Sequence, residues 1–311
     1  MTRHLLTVAD LTAEEVRRVL HLGWQPIESL GRPLAGRGAA LIFEKASTRT
    51  RHSTELAVVQ LGGHPIYARG DEIGMDERES VEDVVRILQG YHAVIAARVF
   101  FHDVLQRMVH VATVPIVNLL SDRAHPLQAI ADAMTMEEAL GSLEGRAVAW
   151  VGDYNNVARS LGEVCALLGA DVRFACPFGY HADDQELERL ALLGAASVSQ
   201  THRPADAVSG ADAVHADTWV SMGQEDDAAA RKQAFEGFTV DRDLMALAAP
   251  GALFMHCLPA HRGLEVAADV IDGPHSVVVR QGHLRLAAAR GALAFVLRSA
   301  VAPPGAGRHA E

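Results

Sequence analysis

The feature that most constrains this chain is an end-to-end alternation of short, apolar, β-prone runs with segments of helical period. In the first half the runs are Ala39–Phe43, His64–Tyr67, Ala93–Ala97 and Val114–Asn118. In the second half they are Ala147–Gly152, Asp171–Ala175, Ala196–Ser199, Ala213–Ala216, Ala252–Met255 and Ser276–Val279. Between them, segments such as Thr50–Leu61, Val81–Gln89, Gln128–Leu140, Val157–Leu168 and Gln185–Leu193 repeat their apolar residues at helical spacing. This pattern predicts an α/β fold of parallel sheets flanked by helices. A length of 311 residues is comfortable for two domains. Gly141–Arg146 follows a long helix and precedes a new strand, so the predicted domains are residues 1–140 and 141–311. The apolar stretch Leu286–Val301, interrupted by Arg290 and Arg298, predicts an amphipathic terminal helix that packs back on the first domain. The Pro/Gly/Ala tail after Ala302 is expected to fray.

Composition narrows the function classes. Aromatics are only 5%, so the core must be built mainly of Ala, Val and Leu. A formal net charge of -11 repels nucleic acid and acidic membranes at long range, which argues against both as partners. Any anion must then be held by a local pocket, and the position of each arginine matters. Cys165, Cys176 and Cys257 fit no zinc spacing and no disulfide framework, and free thiols suit a reducing cytoplasm. Met1–Asp10 lacks the apolar stretch of a signal peptide, and no run of about 18 apolar residues predicts a membrane span.

In open parallel sheets, ligands bind beyond the C-terminal ends of the strands. The first strand leads into Glu44-Lys45-Ala46-Ser47-Thr48-Arg49-Thr50-Arg51. Ser47 is a good N-cap, and a helix N-terminus with free N–H groups and the positive dipole end holds phosphate. Arg49 and Arg51 project about 200° apart on a helix, so one faces the anion and the other forms a structural ion pair; Arg49 is the favoured contact. A solvated basic cap is the other reading. Arg98 directly follows the strand Ala93–Ala97 and can point into the same crevice, or it can be structural.

After Val114–Asn118, Pro126 suits the first turn of a helix, and His125 and Gln128, three apart, share a face. Together they can polarise a carbonyl and orient an amide; a capping His beside an exposed Gln is equally compatible. In the second half, Val151-Gly152-Asp153-Tyr154-Asn155-Asn156 lacks the glycine triplet of a dinucleotide fingerprint. Asp217-Thr218-Trp219-Val220-Ser221-Met222-Gly223 offers Asp217 to an ammonium group and Ser221 to a carboxylate or amine, or else is a capped polar loop. His256-Cys257-Leu258-Pro259 places a cysteine at a strand end, where a buried small hydrophobe is commoner than a nucleophile. Together the clusters predict an anion site in one domain and an amine or carboxylate site in the other, meeting in an interdomain cleft.

The set Ser47-Thr48-Arg49-Thr50-Arg51, His125-Pro126-Leu127-Gln128, Asp217 to Gly223 and His256-Cys257-Leu258-Pro259 resembles the aspartate/ornithine carbamoyltransferase family over nearly the whole chain. The Ser-Met-Gly and His-Cys-Leu-Pro motifs resemble its ornithine branch. The resemblance implies transfer of a carbamoyl group from carbamoyl phosphate to the side-chain amine of L-ornithine, by a cytoplasmic homotrimer in arginine metabolism. It implies that Ser47, Thr48, Arg49 and Thr50, with Arg98, hold the phosphate, and that His125 and Gln128 hold the carbamoyl group. Asn156, Asp217, Ser221 and Met222 would hold the α-amino and carboxylate groups. Cys257 and the Leu258 backbone would sit beside the reacting atoms, with Arg285 as the family's late arginine.

Three places differ from the family's pattern: Leu127 stands for a usual Cys, Tyr154 for a Gly, and His283-Leu284 for Glu-Asn. The implied chemistry is direct attack of an uncharged amine on the carbamoyl carbon, with the oxyanion stabilised by donors. It needs no metal, no cofactor and no covalent enzyme intermediate. Rival readings are a sister enzyme for putrescine, N-acetylornithine or aspartate; a nucleotide-dependent dehydrogenase, which would need a Gly-rich turn; and an inactive paralogue, which would lack Arg49, His125 or Gln128.

Overall fold

The computed structural model describes residues 2–220 and 225–299. In chain order its elements are α1 (Ala13–Trp24), β1 (Gly38–Phe43), α2 (Thr48–Gln60), β2 (His64–Arg69), α3 (Gly70–Ile73), α4 (Val81–Leu88), β3 (His92–Arg98), α5 (His102–Val111), β4 (Ile116–Leu120) and α6 (Pro126–Leu140). They continue with β5 (Ala147–Val151), α7 (Asn156–Leu167), β6 (Asp171–Ala175), α8 (Asp184–Ala191), β7 (Ser197–Thr201), α9 (Pro204–Val208), β8 (Ala213–Ala216), α10 (Ala228–Ala234), α11 (Arg242–Met245), β9 (Leu253–His256), α12 (Ala268–Ile271) and α13 (Val278–Ser299).

Among the described residues the strands form two sheets, ordered β2-β1-β3-β4 and β7-β6-β5-β8-β9, with every neighbouring pair parallel. The α/β expectation therefore holds. Strands β3 and β5 are buried along their whole length, so they read as unbroken apolar runs rather than alternating ones. The strand order reverses between β1 and β3 and again between β5 and β8. Such switch points leave a crevice beyond the strand ends.

Helix α13 ties the halves together. It packs against α1, α2 and α6. One apolar cluster runs from Leu41 and Met134 through Leu284, Ala288 and Leu293 to Trp150 and Phe174. The α1–α13 contact is backbone-close: a Cβ added at Gly291 would lie 2.4 Å from the Val19 carbonyl oxygen. Glycine is used there for approach, not for turning.

Two expectations about this region are corrected. Ser276–Val279 is not a strand: Ser276 makes a single isolated bridge with Phe254, and α13 begins at Val278. Burial of Val278, Gln281, Leu284, Arg285, Ala288 and Ala289 follows helical spacing and outweighs the β propensity of three consecutive valines. Nor is the closing helix amphipathic in its second half, because Ala292–Leu297 are all buried between the neighbouring helices.

Candidate active site

Each half-site is assembled at a switch point. The chain leaves β1 and enters α2 with Ser47 as N-cap, its Oγ accepting from the Thr50 N–H at 3.3 Å. Arg98 is the last residue of β3. Beyond β4, the Asn118 side-chain amide donates to Leu6 O at 2.8 Å, Ser121 Oγ at 3.2 Å and Ala124 O at 3.3 Å, which folds the loop back on its own strand. That loop delivers His125 as the residue preceding Pro126 at the start of α6, and the His125 N–H donates to Ser160 Oγ on α7 at 2.9 Å.

A cavity of about 1020 Å³ opens between the C-terminal edges of the two sheets. It is lined by Ser47, Thr48, Arg49, Thr50, Arg98, His125, Gln128 and Arg285 from one side, and by Asn156, Asp217, Cys257 and Leu258 from the other. Every described residue singled out from the sequence therefore meets there. Ser221 and Met222 lie outside the described residues.

The arginines define the first half. Arg285 donates through Nη1 to Gln128 Oε1 and through Nη2 to Thr50 Oγ1 at 2.8 Å. Arg49 donates across the cavity to the Leu258 carbonyl. None of Arg49, Arg98 and Arg285 makes an ion pair among the described residues. Burial, and then repulsion from Arg49, brings the Arg98 pKa down to about 10. Burial brings Arg285 to about 10 as well, partly offset by Asp132. Burial and all three guanidinium groups push His125 well below the ordinary imidazole range, so its ring is uncharged at neutral pH. Positive charge concentrated at a helix N-terminus without a carboxylate partner is a site for a multiply charged anion. Arg51 takes the other part foreseen for it, pairing with Glu55 at 2.8 Å and lying 3.6 Å from the Tyr67 ring centroid.

The second half centres on the Asp217 carboxylate. It accepts from Asn155 Nδ2 at 2.9 Å, from the Thr218 N–H at 2.8 Å and from Cys257 Sγ at 3.0 Å. Burial, and then the Asp217 charge, holds the Cys257 thiol well above its usual range. It is therefore a protonated donor and a poor nucleophile. Asn156 donates instead to the Ser121 carbonyl at 2.6 Å, across to the first half, and Asn155 is the neighbour that touches Asp217. The sequence gives no signal to separate two adjacent asparagines; only the start of α7 does. Leu258 sits at φ 57, a left-handed value rare for a branched side chain, which aims its carbonyl at Arg49. Asp217, His256 and Cys257 bring ligand atoms within 4.8 Å of one another. A soft cation there would have to displace a thiol proton that burial retains.

Of the departures from the family pattern, only Tyr154 borders the cavity. The Tyr154 ring stacks edge-on against Phe174, with centroids 5.1 Å apart, and its hydroxyl donates to Glu186 at 2.8 Å. The side chain is thus turned under α8. Leu127 and Leu284 are buried and His283 is exposed.

Fold and site together define a two-sheet α/β enzyme that pairs an arginine-rich anion pocket with a carboxylate-bearing pocket in one cleft. The model of the aspartate/ornithine carbamoyltransferase carbamoyl-P binding domain matches residues 3–138, and that of the Asp/Orn binding domain matches residues 144–296. The anabolic ornithine carbamoyltransferase of Pyrococcus furiosus is 44% identical over 303 residues, covering 95% of this chain and 96% of the relative. The ornithine carbamoyltransferase of Acidothermus cellulolyticus is 44% identical over 308 residues, covering 96% and 98%. Among solved structures, the Pyrococcus furiosus enzyme superposes with a TM-score of 0.90 at 43% identity, covering 96% of this chain and 97% of that one. The anabolic enzyme of Campylobacter jejuni gives 0.90 at 30% identity, covering 96% and 99%. The chain belongs to the aspartate/ornithine carbamoyltransferase family.

Proposed function

We propose that the two half-sites serve one reaction, in which the carbamoyl group of carbamoyl phosphate passes to the side-chain amine of L-ornithine to give L-citrulline and phosphate. The observation that carries this reading is the convergence of Arg49, Arg98 and Arg285 on the first turn of α2 without a carboxylate partner. Facing them across the cleft is a carboxylate, Asp217, with a neutral donor on either side.

Carbamoyl phosphate is assigned to residues 1–140, with Ser47, Thr48, Arg49, Thr50 and Arg98 around its phosphate and His125 and Gln128 at its carbamoyl group. Ornithine is assigned to residues 141–311, with Asn156, Asp217, Ser221 and Met222 at its α-substituents. Cys257 and Leu258 lie beside the reacting atoms. The uncharged δ-amine attacks the carbamoyl carbon, and a C–N bond forms as the C–O bond to phosphate breaks. Phosphate leaves with the electron pair and accepts the amine proton. Arg98, Thr50 and neutral His125 stabilise the oxyanion. Cys257 stays a thiol, in keeping with its pairing to Asp217. Much of the acceleration would come from holding two small reactants together in a closed cleft. We take the enzyme to be a cytoplasmic homotrimer acting in arginine metabolism; its cysteines are free, and no described helix is long and apolar enough to cross a membrane.

The test is to incubate purified protein with carbamoyl phosphate and ornithine and to quantify both products. Citrulline and phosphate in equal amounts support the reading. Phosphate without citrulline contradicts it.

A further inference from the structure

We propose that Asp132 and Gln281, neither of which lines the cavity, form a donor–acceptor clip that orients Gln128 and fixes the His256–Leu258 turn, and so act as positioning residues for both substrates. The inference rests on the reading that Gln128 faces bound carbamoyl phosphate. Asp132 lies one helical turn beyond Gln128 on α6, and its Oδ1 accepts from Gln128 Nε2 at 2.7 Å and from Gln281 Nε2 at 2.7 Å. A glutamine amide can turn either way unless its neighbours decide. An acceptor oxygen facing both nitrogens decides for both. Gln128 Oε1 is thereby aimed at Arg285, and Gln281 Oε1 at the His256 N–H, 3.0 Å away.

The Gln281 amide nitrogen has a second buried neighbour. Gln281 Nε2 is 3.1 Å from His215 Nε2. His215 Nδ1 faces the Ala216 carbonyl at 3.0 Å, and its Nε2 also lies 3.5 Å from Asp132 Oδ2, so the imidazole packs against both members of the clip. His215 is itself stacked on Trp150, centroids 5.1 Å apart. Gln128, Asp132, His215 and Gln281 are all essentially inaccessible to water, so no solvent molecule replaces a lost partner.

The connections form a ring through the molecule. Gln128 and Asp132 belong to α6, Gln281 to α13, and His256 to the end of β9. His256 Nδ1 accepts from the Leu258 N–H at 2.9 Å, and the Leu258 carbonyl accepts from Arg49. The clip thus links the anion pocket to the turn that carries Cys257 without passing through the cavity.

The experiment compares Asp132→Asn, Asp132→Leu and Gln281→Glu with wild type, each checked for fold by circular dichroism, with kcat and both KM values measured. Asp132→Asn keeps an oxygen that can receive both bonds but removes the charge that offsets the burial of Arg285, so its constants should fall between those of wild type and Asp132→Leu. Asp132→Leu removes the acceptor, and Gln281→Glu sets oxygen against oxygen. Both should lose on the order of tenfold to a hundredfold in kcat, with KM raised for both substrates, because small misplacements at a reacting centre cost that much. A role in stability alone would lower the melting point and leave the constants of the folded protein unchanged. Folded Asp132→Leu or Gln281→Glu with wild-type constants overturns the proposal, and so does Asp132→Asn behaving like Asp132→Leu. Should the leucine and glutamate variants both fail to fold, side-chain amide exchange of Gln128 and Gln281 in the wild-type enzyme decides. Protected amide protons support the clip, and exchange at solvent rates refutes it. A wild type that makes no citrulline refutes the functional reading instead, which separates the two failures.

Discussion

Replacing Arg98 by methionine should make the ligand-free protein more stable while abolishing its response to carbamoyl phosphate. Arg98 is only 8% exposed, and burial, with Arg49 nearby, holds its pKa at about 10. A depression of that size corresponds to a cost on the order of 3 kcal/mol for keeping the charge in the folded, ligand-free site. The sign follows from linkage. A cation whose pKa is lower folded than unfolded destabilises the fold at every pH below the folded value. The penalty is relieved only as pH rises from about 10 toward the ordinary arginine value. At assay pH only an anion relieves it.

Methionine fills similar space without charge, so a gain of about 1–3 kcal/mol is expected in urea unfolding of the free protein. Carbamoyl phosphate at a hundred times its Kd should add about 2.7 kcal/mol to wild type and nothing measurable to Arg98→Met. A variant that is less stable than wild type when free, yet still stabilised by carbamoyl phosphate, would refute the assignment of Arg98 to the anion site.

Other outcomes follow from the same geometry. Arg49→Lys loses the planar fork and the bond to the Leu258 carbonyl; initial rates at varied carbamoyl phosphate should show kcat/KM down by roughly tenfold to a hundredfold. Cys257→Ser should keep measurable turnover with an altered KM for ornithine, and mass spectrometry of the working wild-type enzyme should find no carbamoyl-cysteine; trapping one would end the direct-transfer mechanism. Gly291→Ala forces a Cβ against the Val19 carbonyl and should cost about 1–3 kcal/mol in urea unfolding. Tyr154→Phe removes the bond to Glu186, so it should lower stability by about 1 kcal/mol and leave the amine preference unchanged.

Much of this architecture is legible in the sequence because central parallel strands have nothing to hide. Buried on both faces, β3 and β5 are plain apolar runs, and their ends are marked by polar clusters that turn out to line one cavity. The N-cap at Ser47 and the division of labour between Arg49 and Arg51 follow from local geometry alone. What stays hidden depends on partners far away in the chain. Asp132 and Gln281 read as ordinary polar positions, because nothing local says that a chain segment of 148 intervening residues returns one to the other. The valines at the start of α13 read as strand, since propensity is weighed without the helices that later bury Val278 and Leu284. Gly291 carries no local mark of its role, although it is the point where two backbones meet.

The central claim is that this cleft is built for ornithine, and the ratio of catalytic efficiencies for three amines tests it most directly. Asp217, held by Asn155 and Cys257, is assigned to the α-substituents of the amino acid. Putrescine has no α-carboxylate, and N-acetylornithine has a blocked α-amine. A site whose buried polar groups are left unpaired rejects such analogues, often by several kcal/mol in order of magnitude. With carbamoyl phosphate saturating, ornithine should be carbamoylated far more efficiently than putrescine, and N-acetylornithine should scarcely react. Putrescine or N-acetylornithine matching ornithine in kcat/KM would contradict the account, leaving a carbamoyltransferase whose amine has been misread.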